Sequence, residues 1–344
     1  MAKISILGTG GFGVSLAATC FRYGHEVTLW GLFQQEVDAI IRDGEHKKLL
    51  PGVPVNPGIR VTADISETAG ADLVILAVPS FAVRETAARV RPFLSPETVV
   101  VNVAKGLEKG SCKLLSEVIE EEIPDRAAII LSGPSHAEEI ARGVPTTIDA
   151  ASKSRANAEY VQDVLSNDRL RIYVCDDIIG AQLGGALKNI IAVCAGMCDG
   201  MGLGDNAKAA LMTRGLAEIA RLGSAMGADP ATFAGLTGIG DLIVTCTSLH
   251  SRNYRAGLYI GQGIPAQEAI RRVGMTVEGC IVAGTAWKLA QEKGVEMPIV
   301  EQLNLVLEEG KDVRTAVRDL MGRPSRHENE QIWLKELKER QSHQ

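Results

Sequence analysis

Two rhythms of apolar and polar residues divide the chain near residue 175. Before that point short stretches dominated by apolar and β-branched residues recur at 3–7, 26–30, 59–62, 72–78, 98–102, 128–131 and 146–150, with amphipathic stretches such as 34–42 and 80 to about 90 between them. Stretches this short and apolar predict strands buried on both faces, and the intervening helices supply the crossovers of a parallel sheet. The expectation is an α/β first domain, a doubly wound sheet whose ligands bind at the carboxyl ends of its strands. Pro51, Pro54 and Pro57 punctuate a stretch read as irregular. After residue 175 the period lengthens to that of helices, over 177 to about 198, again over 206–226, and onward to about Met321. The division expected is 1–176, a dinucleotide-binding domain, and 177–325, an all-α domain, with a charged tail at 326–344 read as a solvated segment or surface helix.

The first strand runs straight into Gly8-Thr9-Gly10-Gly11-Phe12-Gly13 and then into the helical Val14-Ser15-Leu16-Ala17-Ala18-Thr19-Cys20. Strand, glycine turn and helix in that order are the context in which G-x-G-x-x-G holds a dinucleotide of the Rossmann type. Gly8 permits the turn, Gly10 lets a pyrophosphate approach the backbone, and Gly13 lets helix and strand pack closely. Unpaired amides and the positive end of the helix dipole then face the phosphates.

Charge narrows the partners. With 36 basic against 42 acidic residues and no basic block, the 344-residue chain lacks the stripe of a nucleic-acid surface. A strand begins within three residues of Met1, leaving no space for a secretory leader, and no apolar run approaches the roughly 20 residues of a membrane span. Seven cysteines without a C-x-x-C suit a reducing compartment, so a cytoplasmic location is expected. Cys194 and Cys198 stand one helical turn apart without further ligands at metal spacing, and no metal is expected. Exposed helix faces of the second domain could pair into a homodimer, although such faces more often belong to the core.

Four constellations carry candidate chemistry. Lys188 lies among small and apolar residues in Gly184-Gly185-Ala186-Leu187-Lys188-Asn189, where it is either a snorkelling surface group or a buried amine with a lowered pKa suited to proton transfer. Its neighbour Asn189 either bonds a substrate or caps backbone groups. Asp241, in Gly238-Ile239-Gly240-Asp241, starts an apolar helix, and a helix cap is the simpler reading. Ser251-Arg252-Asn253 suits a phosphate monoester through a guanidinium fork and helix-end amides, or is an ordinary helix start. Lys105 in Val103-Ala104-Lys105-Gly106-Leu107-Glu108, and the loop Ser132-Gly133-Pro134-Ser135-His136-Ala137, both follow strand carboxyl ends. The segment Asp199-Gly200-Met201-Gly202-Leu203-Gly204-Asp205 reads as a connection between helices, with contact to substrate as its lesser reading.

Taken together, in this order and spacing, these motifs resemble the NAD(P)-dependent sn-glycerol-3-phosphate dehydrogenases of the bacterial type over roughly residues 3 to 325. The resemblance implies a second domain like the C-terminal domain of 6-phosphogluconate dehydrogenase. It also implies hydride transfer between NAD(H) or NADP(H) and C2 of dihydroxyacetone phosphate or sn-glycerol 3-phosphate, supplying glycerophospholipid synthesis. By that pattern Lys188 is the proton donor and acceptor. Lys105, Gly133, Ser135, Lys188, Asn189, Asp241, Thr245, Ser251, Arg252 and Asn253 match or neighbour substrate positions. Gly8, Gly10, Gly11, Phe12, Gly13, Lys105, Ala137, Arg252, Thr276 and Glu278 match cofactor positions. The chain departs from the pattern at Leu32, where histidine or arginine is frequent, and at Gly11-Phe12, where serine and tyrosine or tryptophan are common. No acid closes the second strand at Leu29-Trp30-Gly31-Leu32-Phe33, and Glu36 comes late for that role. A dehydrogenase of 3-hydroxy acids or imines would share the fingerprint but leave Ser251-Arg252-Asn253 without a role, and in a dinucleotide-sensing module Lys188 would be structural.

Overall fold

A computed structural model describes residues 1–124, 126–325 and 327–328, so nearly all of the expected 326–344 tail lies outside the described residues. The strands are β1 (Lys3–Leu7), β2 (Glu26–Trp30), β3 (Glu45–His46), β4 (Leu50–Pro54), β5 (Arg60–Thr62), β6 (Leu73–Leu76), β7 (Val99–Asn102), β8 (Ile129–Ser132), β9 (Thr146–Ala151) and β10 (Leu170–Cys175). The helices among them are α1 (Gly11–Arg22), α2 (Gln34–Asp43), α3 (Val83–Val90), α4 (Leu115–Glu122), α5 (Ala137–Ala141) and α6 (Arg155–Leu165). Eight strands form one sheet in the order β10-β9-β8-β7-β6-β1-β2-β5. Its central strands β1 and β6 are fully buried along Ile4–Leu7 and Leu73–Leu76, as expected for strands covered by helices on both faces.

The sheet expected from the apolar runs is parallel throughout, and two strands correct it. β9 pairs antiparallel with β8, and β10 runs parallel to β9, so both oppose the rest. β10 lies outside the stretches from which strands are predicted. Its Leu170 and Ile172 face inward, while Arg171 and Tyr173 face outward with the guanidinium 5.0 Å from the ring centre. That alternation belongs to a half-solvated edge strand. The proline-rich stretch also contains a small antiparallel pair, β3 with β4.

From Ile178 the chain is helical: α7 (Ile178–Gly200), α8 (Asp205–Ala225), α9 (Asp241–Thr247), α10 (Arg252–Gly261), α11 (Ala266–Val273), α12 (Glu278–Glu292), α13 (Pro298–Glu308) and α14 (Val313–Met321). Around α7 the others assemble one apolar cluster. Asp177 caps α7 by accepting from the Gly180 amide at 2.8 Å and also holds the Thr232 hydroxyl at 2.7 Å. Among the described residues α7 is the one helix long and apolar enough to cross a membrane, and 89% of its apolar window is buried in this cluster.

Glycines set how closely α10 crosses α7. A Cβ on Gly196 would sit 2.0 Å from the Tyr254 carbonyl oxygen, and one on Gly257 would sit 1.9 Å from that of Val193. Gly200 and Gly261 repeat the relation one turn further along. The glycine-rich connection is therefore shorter than expected. Asp199 and Gly200 belong to α7, and the link is Met201–Gly204 in sequence, about 18 Å beyond Lys188 at 1.5 Å per residue.

Candidate active site

Local chain geometry brings Lys188 and Asp241 together. Before α9 the backbone makes a π-type turn over Leu236–Gly240. There a Cβ on Gly238 would strike the Phe233 carbonyl at 2.0 Å, and one on Gly184 of α7 would lie 2.3 Å from the Thr237 carbonyl. Only side chains this small let the turn press against α7. Asp241 is then the first residue of α9, not its cap, and its carboxylate turns inward to the Lys188 ammonium. The helix-cap reading of Asp241 is overturned by these contacts.

Lys188, 6% exposed, also donates to the Thr245 hydroxyl at 2.6 Å. Thr245 in turn donates to the Asp241 carbonyl one turn back, at 2.6 Å. The other Asp241 carboxylate oxygen accepts from the Lys105 ammonium at 2.6 Å. Lys105 reaches across from the loop after β7 and donates to the Gly133 carbonyl at 2.9 Å, with the Ser135 hydroxyl 3.5 Å away. One carboxylate is thus shared by two ammonium groups.

Burial pushes Lys188 down to about 8, with the Lys105 charge acting in the same direction and Asp241 opposing both. Burial disfavours the Asp241 charge as well, but the two ammonium groups more than offset it and hold the carboxyl below its usual range. The snorkelling alternative for Lys188 does not survive its burial.

A second chain of contacts fixes the floor. The Asn253 amide donates to the Asn189 side-chain oxygen at 2.8 Å and accepts from the Gly279 backbone at 2.9 Å, tying α10, α7 and α12. Ser251 caps α10 by accepting from the Tyr254 amide, so the helix-start reading holds for its oxygen. Arg252 follows it, exposed, without a hydrogen bond or ion pair among the described residues. Glu278, the first residue of α12, accepts from the Ser80 hydroxyl at 2.7 Å and the Ser80 amide at 3.2 Å. Burial raises its pKa, with the two Ser80 bonds and the Arg252 charge opposing. Thr276 is half-buried on the segment leading into α12.

The glycine turn lies beside this cleft. Gly8 has φ +131°, and a Cβ there would meet the Ala77 carbonyl at 2.5 Å, while one on Gly13 would meet the Gly8 carbonyl at 2.0 Å. At Gly10 the nearest such atom is 4.0 Å away, so the backbone stays open at the cap of α1. These residues fit a pyrophosphate resting on the first amides of α1. Gly11 faces Ala137, whose Cβ lies 3.9 Å from where a methyl on Gly11 would sit, and Phe12 is half-buried against the sheet core.

Two neighbours escaped sequence reasoning as individuals. Ser80 directly follows Pro79 at the end of β6, and its position at a strand's carboxyl end was the available signal. His136, legible only as part of the Ser132–Ala137 motif, lies with its ring centre 5.7 Å from that of His250 and its Nε2 3.3 Å from the Val244 carbonyl.

A glycine turn at the carboxyl end of a mainly parallel sheet, faced by a buried lysine from a helical lobe, defines a two-domain nicotinamide-dependent dehydrogenase. A family model described as the NAD-dependent glycerol-3-phosphate dehydrogenase N-terminus matches residues 3–158, and its C-terminal counterpart matches 177–318. The chain belongs to the NAD-dependent glycerol-3-phosphate dehydrogenase family. It is 51% identical over 334 residues to a glycerol-3-phosphate dehydrogenase [NAD(P)+] of Desulfitobacterium hafniense, covering 97% of this chain and 95% of that one. It is 53% identical over 329 residues to one of Moorella thermoacetica, covering 95% and 98%. The crystal structure of glycerol-3-phosphate dehydrogenase from Coxiella burnetii superposes with a TM-score of 0.90 at 38% identity, over 94% of this chain and 99% of the other.

Proposed function

We propose that this enzyme interconverts dihydroxyacetone phosphate and sn-glycerol 3-phosphate, with residues 1–176 holding the dinucleotide and 177–325 supplying the catalytic groups. The observation that carries the reading is the buried Lys188 ammonium, held by Asp241 and Thr245 beside Lys105. A bound nicotinamide supplies or takes the hydride at C2. As the C2 oxygen gains negative charge during reduction, the Lys188 ammonium stabilises it and then transfers its proton, breaking an N–H bond and forming the alcohol O–H. Asp241 stays ionised and keeps the amine charged against desolvation. The Arg252 guanidinium, with Ser251 and Asn253, receives the remote phosphate and so orients C2 toward the nicotinamide. Lys105, Gly133, Ser135, Asn189 and Thr245 line the substrate, while Gly8, Gly10, Gly11, Phe12, Gly13, Ala137, Thr276 and Glu278, with Lys105 and Arg252, contact the cofactor. The product suits a supply role in glycerophospholipid synthesis, and the unpaired cysteines suit a cytoplasmic enzyme.

Steady-state oxidation of reduced cofactor tests this reading. Turnover is expected with dihydroxyacetone phosphate and at most weakly with unphosphorylated dihydroxyacetone. Lys188→Ala is expected to lose about 1000-fold in kcat while retaining cofactor binding. Unchanged kcat in that variant would overturn the assignment.

A further inference from the structure

The end of β2 sits directly on the glycine turn. The Gly8 amide donates to the Trp30 carbonyl at 2.8 Å, and a Cβ on Gly31 would lie 2.7 Å from the Thr9 side chain. In dinucleotide folds this junction is where an acid about 20 residues past the turn takes the adenosine ribose hydroxyls, or a basic residue takes a 2′-phosphate. The residues that follow Trp30 here are Gly31, Leu32 and Phe33, the last two 48% and 64% exposed, so neither an acid nor a cation stands at the strand's end.

A carboxylate arrives by another route. Glu36, in the first turn of α2, points back and accepts from the Thr9 hydroxyl at 2.8 Å, within the glycine turn itself. Its other oxygen lies 2.8 Å from His46 Nε2. The His46 Nδ1 accepts from the Leu49 amide at 3.2 Å, which leaves Nε2 to carry the proton and donate to Glu36. The imidazole side chain is only 8% exposed, whereas the Glu36 side chain is 30% exposed. A carboxylate offers about four acceptor sites, and two are used here, so it can accept from further hydroxyls on its open side.

We propose that Glu36, aimed by Thr9 and His46, is a specificity-determining residue that makes this enzyme prefer NAD(H) to NADP(H). It accepts from the ribose hydroxyls of the former and repels the 2′-phosphate of the latter. Nearby cations do little to reverse that preference: Arg42 and Lys47 are both engaged by Asp43, at 2.9 Å and 3.2 Å. Lys48, exposed on the β3–β4 turn, pairs with no carboxylate among the described residues and is the group that could shelter a 2′-phosphate instead. This inference rests on the glycine turn being the cofactor site.

The full chain, without substrate, is titrated with NADH and with NADPH by nicotinamide fluorescence at fixed ionic strength. The expected result is a Kd for NADH at least about tenfold below that for NADPH. Glu36→Gln, which removes the charge, is expected to narrow the ratio about tenfold, chiefly by tightening NADPH, while Glu36→Asp keeps the preference. Equal or inverted affinities in the parent would overturn the inference and point to Lys48. A preference unchanged in Glu36→Gln would overturn it too. Binding of neither cofactor would instead defeat the glycine-turn site on which it rests, a distinguishable failure.

Discussion

Asp241 is the residue that sets the charge of the site: one buried carboxylate against two ammonium groups leaves a surplus positive charge. Burial brings Lys188 down to about 8, so on its proposed role as proton donor, ketone reduction is expected to hold below that pH and fall above it. Alcohol oxidation, which needs the free amine, should rise toward the same pH. Asp241→Asn removes the group that opposes the downward shift, so the decline in reduction should begin at least about one pH unit lower, read from kcat against pH. An unmoved profile would separate Asp241 from the titrating group. The linked stability has a definite sign. Between about 8 and the ordinary lysine value of 10.5 the unfolded chain binds more protons, so this group's contribution rises with pH there. Lys188 was visible in the sequence as a lone cation in an apolar helix. Its partner was less so, since an aspartate at a helix start reads equally well as a cap until the π-type turn rotates it inward. Glu36 was harder still: its place depends on α2 folding back over Thr9, which no local pattern announces.

At the scale of elements the helical lobe depends on how α7 and α10 cross. Gly196-x-x-x-Gly200 on one helix faces Gly257-x-x-x-Gly261 on the other, and each would-be Cβ overlaps the opposite backbone. Backbone atoms cannot swing aside as a flexible side chain can. Gly196→Ala is therefore expected to cost roughly 3 kcal/mol of stability, despite alanine's better helix propensity, measured as a shift in the denaturation midpoint. A stable, wild-type-like variant would mean that the two helices can separate without cost. The same elements show what sequence patterns reveal. Long helices and the central strands were legible because burial imposes one period over many residues. β10 was not, because only alternate residues are buried, and β3 with β4 was hidden among prolines.

Across the whole molecule, the sheet and the helical lobe are joined by buried polar bonds. Gln182 of α7 accepts from the Ser116 amide of α4 at 2.9 Å and donates to its hydroxyl at 2.8 Å. Lys105 meets Asp241, and Ser80 meets Glu278, across the same boundary. Gln182→Ala leaves the Ser116 amide buried without its acceptor, costing about 1–3 kcal/mol. Calorimetry should show one heat transition moved to lower temperature, because the bond serves both halves. Two separately moving transitions would mean that the lobes unfold independently.

The reversed strands β9 and β10 have a geometric consequence for catalysis. They return the chain to the amino-terminal edge of the sheet before α7 sets out from Ile178 beside Ile130 and Ala151. Ten residues later, a climb of about 15 Å, α7 delivers Lys188 level with the loops at the opposite rim. The first half of the helix works as a ruler. A single-residue deletion between Ile178 and Lys188 would swing the amine about 100° around the axis, out of reach of Asp241.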